Sequence, residues 1–245
     1  MNEPNPSLGI ARALWDDLVR GCLKLLPQGT DGHFLRLAPA APRAWTPGRE
    51  RRQAACAAVL RGQSQKVVAA ELGLSPATLA GLVSSALLEL GVDVRCARVP
   101  LALPLLLHAA EGSRVVSFCE VGEAGRGDWG GPPWQLGLGL PEQALADELS
   151  PGEQEVTRAY LIGQSYAEIA RARGSSTRTV ANQLAQSFRK LGASGRFSLL
   201  AAVLEKGARR GAPLTLTLRS VPAGGEDAAP LSATTFPRPR PRLSA

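Results

Sequence analysis

The sequence predicts a mainly α fold with short β-strands, arranged as two tandem helical modules that are each flanked by strands. Three observations carry this: an internal repeat at a spacing of 101 residues, explicit helix caps in the second copy, and strand-like runs on both sides of each helical segment. The repeat lays GQSQKVVAAELGLSPATLAGLVSSALLELG (Gly62 to Gly91) on GQSYAEIARARGSSTRTVANQLAQSFRKLG (Gly163 to Gly192) without a gap, and ten of the thirty positions are identical. The same shift sets HFLRL (His33 to Leu37) over WQLGL (Trp134 to Leu138). VVSFCEV (Val115 to Val121) and PLTLTLRSV (Pro213 to Val221) follow the two helical segments as further strands.

Taken in order, residues 1–30 lie outside the repeat. Ile10, Leu14, Leu18, Cys22 and Leu25 recur at helical spacing and predict one amphipathic helix over Leu8 to Leu26. The first module occupies residues 31–122. Thr46 precedes Gly62 by 16 residues where Ser150 precedes Gly163 by 13, which predicts a longer first helix in this copy. Ser75 with Pro76 starts its third helix, whose inner stripe is Leu79, Val83, Leu87 and Leu90. Residues 123–133 form a Gly/Pro-rich loop, and the second module spans 134–222. There Ser150, Pro151 and Glu153 read as a capping box, as do Ser165 and Glu168. Gly174 breaks the pattern, Ser176 caps a helix from Thr177 to Leu191, and a fourth helix runs from Phe197 to Lys206. Two short helices about a glycine turn, the second amphipathic, make a helix-turn-helix. The tail 223–245, ending PRPRPRLSA, has the composition of a Pro/Arg-rich disordered segment without a core.

Composition narrows the function. The 245 residues are 44% apolar, enough for real cores, and 28 Lys plus Arg against 21 Asp plus Glu leave a charge of +7, which favours a polyanionic partner. The longest apolar run, Leu101 to Ala110, is half of the roughly 20 residues a membrane span needs and contains Pro104. The N-terminus lacks the basic start and unbroken apolar segment of a signal peptide, so the expected location is the cytoplasm, with no membrane partner. Cys22, Cys56, Cys96 and Cys119 are scattered without a CxxC and read as small buried hydrophobes. His33 and His108 have no nucleophile or acid beside them, and GEAGRGDWGGPP lacks the GK[ST] ending of a phosphate loop. No enzyme, catalytic residue, metal or cofactor is expected.

LSPGEQEVTRAYLIGQSYAEIARARGSSTRTVANQLAQSFRKLGASGRFSLLAAVL, Leu149 to Leu204, resembles the LuxR-type (GerE-like) bacterial helix-turn-helix domain. The anchors are LSPGE, Gly163 before SYAEIA, Ser176 to Val180, and KLG at Lys190 to Gly192 followed by Arg196. The same skeleton occurs in sigma-factor region 4, which SYAEIA also fits, and the KLG ending favours LuxR. The family commonly has a basic residue and a histidine where this chain has Ala181 and Gln183. The resemblance implies a bacterial transcription regulator whose partner is double-stranded DNA. It also implies that Ala181, Asn182 and Ala185 face base edges and that Thr179 and Lys190 face the backbone.

The third helix of the second copy can be read without the resemblance. Val180, Leu184, Phe188 and Leu191 face the core, which turns Arg178, Asn182, Ala185, Gln186 and Arg189 outward. Asn and Gln can bond adenine, while Arg178, Arg189 and Lys190 can neutralise phosphate or, for Arg, read guanine. With the capping Ser176, these make the candidate DNA-binding set. In the first copy the shift lays Ala77 on Arg178, Gly81 on Asn182, Leu88 on Arg189 and Glu89 on Lys190, so it resembles a degenerate member of the same family. Its cluster Arg49, Arg51 and Arg52 either touches DNA or is a solvated helix start. Leu82 and Leu88 leave apolar area outside the core stripe, covered either by the N-terminal helix or by a partner. The alternative to a DNA reader is a protein-interaction module docking on RNA polymerase or another regulator, and a homodimer is compatible with either reading.

Overall fold

The computed structural model describes residues 6–26, 34–42, 44, 46–92, 99–113, 116–121, 134–139, 148–211 and 214–220. The loop expected at 123–133, the tail at 223–245, His33 and Cys96 lie outside the described residues. So do the side chains of Phe118 and Cys119.

The chain begins with α1 (Pro6–Arg20), shorter than the helix expected to reach Leu26. It turns at Gly21 (φ 81°), and Leu23–Leu25 is a strand, β1. Cys22 and Leu25 continued the helical spacing by coincidence: the strand buries Leu23 and Leu25 in a buried–exposed–buried alternation, and Cys22 lies half-buried just before it. Next come β2 (Phe34–Pro39), α2 (Arg49–Leu60), α3 (Gln65–Glu71) and α4 (Pro76–Glu89). The apolar run that is too short for a membrane is α5 (Ala102–Ala110), buried almost throughout, and β3 (Val116–Val121) follows. The second half runs β4 (Trp134–Gly139), α6 (Pro151–Leu161), α7 (Tyr166–Arg173), α8 (Thr177–Leu191), α9 (Arg196–Arg209) and β5 (Leu214–Ser220). The first helix of the first copy is longer by one residue only, 12 in α2 against 11 in α6, because Gly48 rather than Thr46 is the N-cap of α2.

All five strands share one mixed sheet in the order β1-β2-β4-β5-β3. Its centre is the antiparallel pair β2·β4, in which Leu35 stands opposite Leu136 and the flanking pairs are Phe34↔Gly137 and Arg36↔Gln135. The 101-residue offset carries Leu35 onto Leu136 and exchanges the pair Phe34↔Gly137 with Arg36↔Gln135, so this register is two-fold symmetric about Leu35 and Leu136. The symmetry stops at the next strand. β5 flanks β4 on one side, but β1 takes the corresponding place beside β2, and β3 instead lies outermost, parallel to β5.

One face of the sheet is apolar. Leu35, Leu136 and Leu218 form a fully buried row across three strands, and Leu25, Leu37 and Trp134 form the next. Helices α1, α5 and α9 cover the apolar face, while Lys24 and Arg36 project to solvent on the other. Beyond that layer sit two three-helix units, α2–α4 and α6–α8. The main core runs through the sheet and the first unit, and α6–α8 adds a small core of its own from Val156, Ala159, Ile169, Ala170, Val180 and Leu184. Gly62, after α2, admits α9: a Cβ there would stand 2.8 Å from the Phe197 carbonyl oxygen and 3.1 Å from the Ala201 Cβ.

Gly62 and Gly174 both adopt left-handed backbone, at φ 92° and 59°. Alanine at either site costs about 1–2 kcal/mol for that conformation, but only Gly62 is also crowded, by the backbone of α9. Urea unfolding is therefore expected to show Gly62→Ala clearly more destabilised than Gly174→Ala.

Candidate nucleic-acid interface

The expected helix limits of the site hold, with α8 spanning Thr177–Leu191. Ser176 caps it: its Oγ accepts from the Thr179 N–H at 3.1 Å and lies 2.9 Å from the Thr179 Oγ1. Both capping boxes form, Ser150 with Glu153 at α6 and Ser165 with Glu168 at α7. Gly174 ends α7 in left-handed conformation and redirects the chain into α8. Val180, Leu184, Ser187 and Leu191 are buried, and Phe188 meets Tyr160 edge to face with ring centroids 5.9 Å apart.

On the outward side Arg178, Thr179, Asn182, Ala185, Arg189 and Lys190 are exposed, as is Ser176, whereas Ala181 and Gln186 are half-buried. Arg178, Asn182, Ala185 and Arg189 share one helix face, with Ala181 and Lys190 on its opposite flanks, and not all of the candidate residues are uncommitted. Arg189 donates to the Gln186 Oε1, so these two hold each other. The Lys190 Nζ donates to the Glu153 Oε2 at 2.7 Å. That bond, with the Ser150 N–H at 2.7 Å on the same oxygen, holds the Glu153 carboxyl below its usual range.

Three ties that periodicity and caps do not reveal hold the helices of this half, two of them on α8 and one on α9. Arg173, at the end of α7, donates to the Gln183 Oε1 on α8 at 2.5 Å and to the Glu155 Oε2 on α6 at 3.0 Å. Gly152 leaves the room this needs, since a Cβ there would be 3.0 Å from the Gln183 Nε2. The Thr157 hydroxyl donates to the Ser187 Oγ at 2.9 Å between buried faces of α6 and α8. Arg196 donates to the Leu161 carbonyl at 2.6 Å and to the Val99 carbonyl at 2.8 Å, joining α9 to the end of α6 and to the first half. The signal available in the sequence was a glycine in the first turn of α6, where helix propensity alone disfavours it.

The 101-residue offset recurs in these contacts. Ser75 caps α4 through Thr78 as Ser176 caps α8 through Thr179, at the same 3.1 Å. Thr157 and Ser187 correspond to Cys56 and Ala86, both buried, so a polar pair in one half is an apolar pair in the other. Glu153 and Lys190 correspond to Arg52 and Glu89, which pair at 2.6 Å with the charges reversed. Arg49 and Arg51 are also engaged, on the carbonyls of Val19 and Leu72, so the arginine cluster of α2 serves internal contacts. Leu82 packs toward the core, while Leu88 stays exposed and α1 does not cover it.

Burial pushes the Cys56 thiol up to about 12 and holds the His108 imidazole below its ordinary value. Among the described residues no group of His, Cys, Asp and Glu could hold a metal ion, and no single helix is long and apolar enough to cross a membrane.

The Lys190 bond yields a stability test. Lys190→Glu should destabilise the chain, and adding Glu153→Arg should recover part of the loss in urea unfolding. The remainder is the cap that Glu153 makes, about 1 kcal/mol. Because the folded carboxyl is depressed, its contribution is present above the ordinary carboxylate pKa and is lost as pH falls through the lower folded value. The stability gap between the native chain and Lys190→Met should therefore close in acid.

No curated protein and no solved structure matches the chain. Residues 147–203, which hold α6 to α8 and half of α9, match the family model of the bacterial regulatory proteins of the luxR family. This part of the chain is a luxR-type helix-turn-helix domain, the DNA-binding kind used in transcription regulation.

Proposed function

We propose that the chain is a bacterial transcription regulator in which α8 enters the major groove of double-stranded DNA and the first half is a diverged luxR-like unit that does not read DNA. The observation that carries this reading is the outward face of α8, where Arg178, Asn182 and Arg189 are exposed above a buried apolar stripe within the matched segment. On this reading Asn182 faces base edges, with Ala181 and Ala185 offering only methyl contact with thymine, while Ser176, Arg178, Thr179 and Arg189 lie toward the phosphates. Gln186 braces Arg189. Lys190 has three N–H donors and gives one to Glu153, which leaves two for a phosphate.

The diverged-unit reading draws support from the preserved offset in the Ser75 cap, the Cys56/Ala86 positions and the reversed Arg52–Glu89 pair. It draws support also from the absence of any cation on the outer face of α4.

A salt titration of DNA affinity tests the proposal. Arg178→Ala and Arg189→Ala are each expected to weaken binding to all sequences and to flatten the plot of log affinity against log salt by roughly 0.9 for each phosphate that is no longer neutralised. Asn182→Ala should leave the slope alone and cost about 1–3 kcal/mol of discrimination between target and random DNA. An unchanged slope in both arginine variants would favour the alternative, a module that docks on RNA polymerase or another regulator. The two alanines among the three base-facing positions speak for that alternative.

A further inference from the structure

The outer face of α4 carries no free charge, and no other described residue covers it. Ala77, Ala80, Gly81, Ser85 and Leu88 are exposed on it, Leu88 to 54%, and Val67 on the adjoining α3 is exposed to 50%. Of the three large apolar side chains exposed among the described residues, two are therefore on this one helical pair. Leu88 stands at the offset position of Arg189, a place that costs nothing to keep polar in a solvated helix.

Charge decides what can cover this face. α4 carries no Lys or Arg, and its one acid, Glu89, is already held by Arg52, so neither a polyanion nor an acidic protein gains an ion pair there. Two copies of a chain at +7 repel wherever their cations meet. Every other described helix carries at least one Lys or Arg except α5, which is buried almost throughout. Among the described residues, α4 is the one exposed helix with no Lys or Arg of its own, so two copies can approach along it without opposing cations on the helix itself.

Its shape fits a copy of itself. Ala77, Gly81, Ser84 or Ser85, and Leu88 follow the spacing of a helix-packing ridge, and a Cβ at Gly81 would find open space. If two α4 helices cross antiparallel about Ser84, Leu88 of each copy lies over Ala80 and Gly81 of the other, a large side chain into a small-residue hollow on both sides. Such an isologous contact closes at two chains and does not propagate. We propose that the outward face of α4 is where two copies of this chain meet, giving a dimer that carries two α8 helices.

A helix of 14 residues is roughly 21 Å long, and one helix pair buries less than the roughly 1,200 Å² of standard stable interfaces. The dimer is consequently a weak one that forms at micromolar or higher concentration. Equilibrium sedimentation of the full chain without DNA, from low micromolar to several hundred micromolar, is expected to show a monomer–dimer equilibrium. Leu88→Arg and Gly81→Arg should each weaken dimerisation by about tenfold or more, with thermal unfolding unchanged for Leu88→Arg because that side chain is already exposed. Gly81→Arg serves as the second variant, since its Cβ meets nothing and arginine is a better helix former than glycine. A native chain that stays monomeric throughout overturns the proposal, as does a dimer that both arginines leave untouched. DNA is absent from the measurement, so either result is independent of whether α8 reads DNA.

Discussion

The pairing of β2 with β4 about Leu35 and Leu136 is the contact on which the rest of the architecture depends. It joins strands almost a hundred residues apart in sequence and fixes which face of each half is apolar, because a slip of one residue would turn Leu35 and Leu37 outward and Arg36 inward. Once that register is set, Leu218 on β5 completes the row with Leu136, and the apolar sides of α5 and α9 have one surface to cover. The two halves are thus one folding unit at the level of the sheet, whatever their history. Each three-helix unit extends beyond it, which leaves α4 and α8 with a full outer face.

This separation of scaffold from outer face explains how the halves differ. The interactions that hold a three-helix unit together admit substitution in pairs. A buried hydroxyl pair can become thiol and methyl because both partners change together and no donor is stranded. An ion pair between the start of the first helix and the end of the third can be reversed because attraction is indifferent to which helix bears the cation. Outer positions carry no such coupling, so Arg178 and Ala77, or Arg189 and Leu88, can stand at the same place on the same frame.

For α8 the frame also restricts. Its angle to α7 and α6 is set by Arg173, which reaches Gln183 and Glu155 at once, and by Gly152, whose missing side chain lets that bridge sit close to α6. Cations that look equivalent in the sequence therefore have different freedom. Arg178 has no ion pair among the described residues, Arg189 is braced by Gln186, and Lys190 also secures Glu153. Arg196, which stands out in the sequence beside KLG, spends its guanidinium on the carbonyls of Leu161 and Val99.

Much of the second half was legible in the sequence, because the signals there are local: Ser150, Ser165 and Ser176 as caps, Gly174 as the turn, and a buried stripe from Val180 to Leu191. Local chemistry needs no knowledge of the partner surface, so those elements could be placed by spacing alone. The sequence also carried the 101-residue offset and the contrast between the outer faces of α4 and α8. It misled at Cys22 and Leu25, where apolar residues keep a helical spacing past Gly21 although Leu23 and Leu25 alternate in a strand, and at Thr46, which is not the cap of α2. Only the tertiary structure decided that β1 displaces β3 from the place beside β2, that Arg52 and Glu89 reverse the pair Glu153 and Lys190, and that Leu88 remains uncovered while Leu82 does not. Each of these depends on which surfaces meet across long separations in the chain, and periodicity within one segment shows where a side chain points but not what it encounters there.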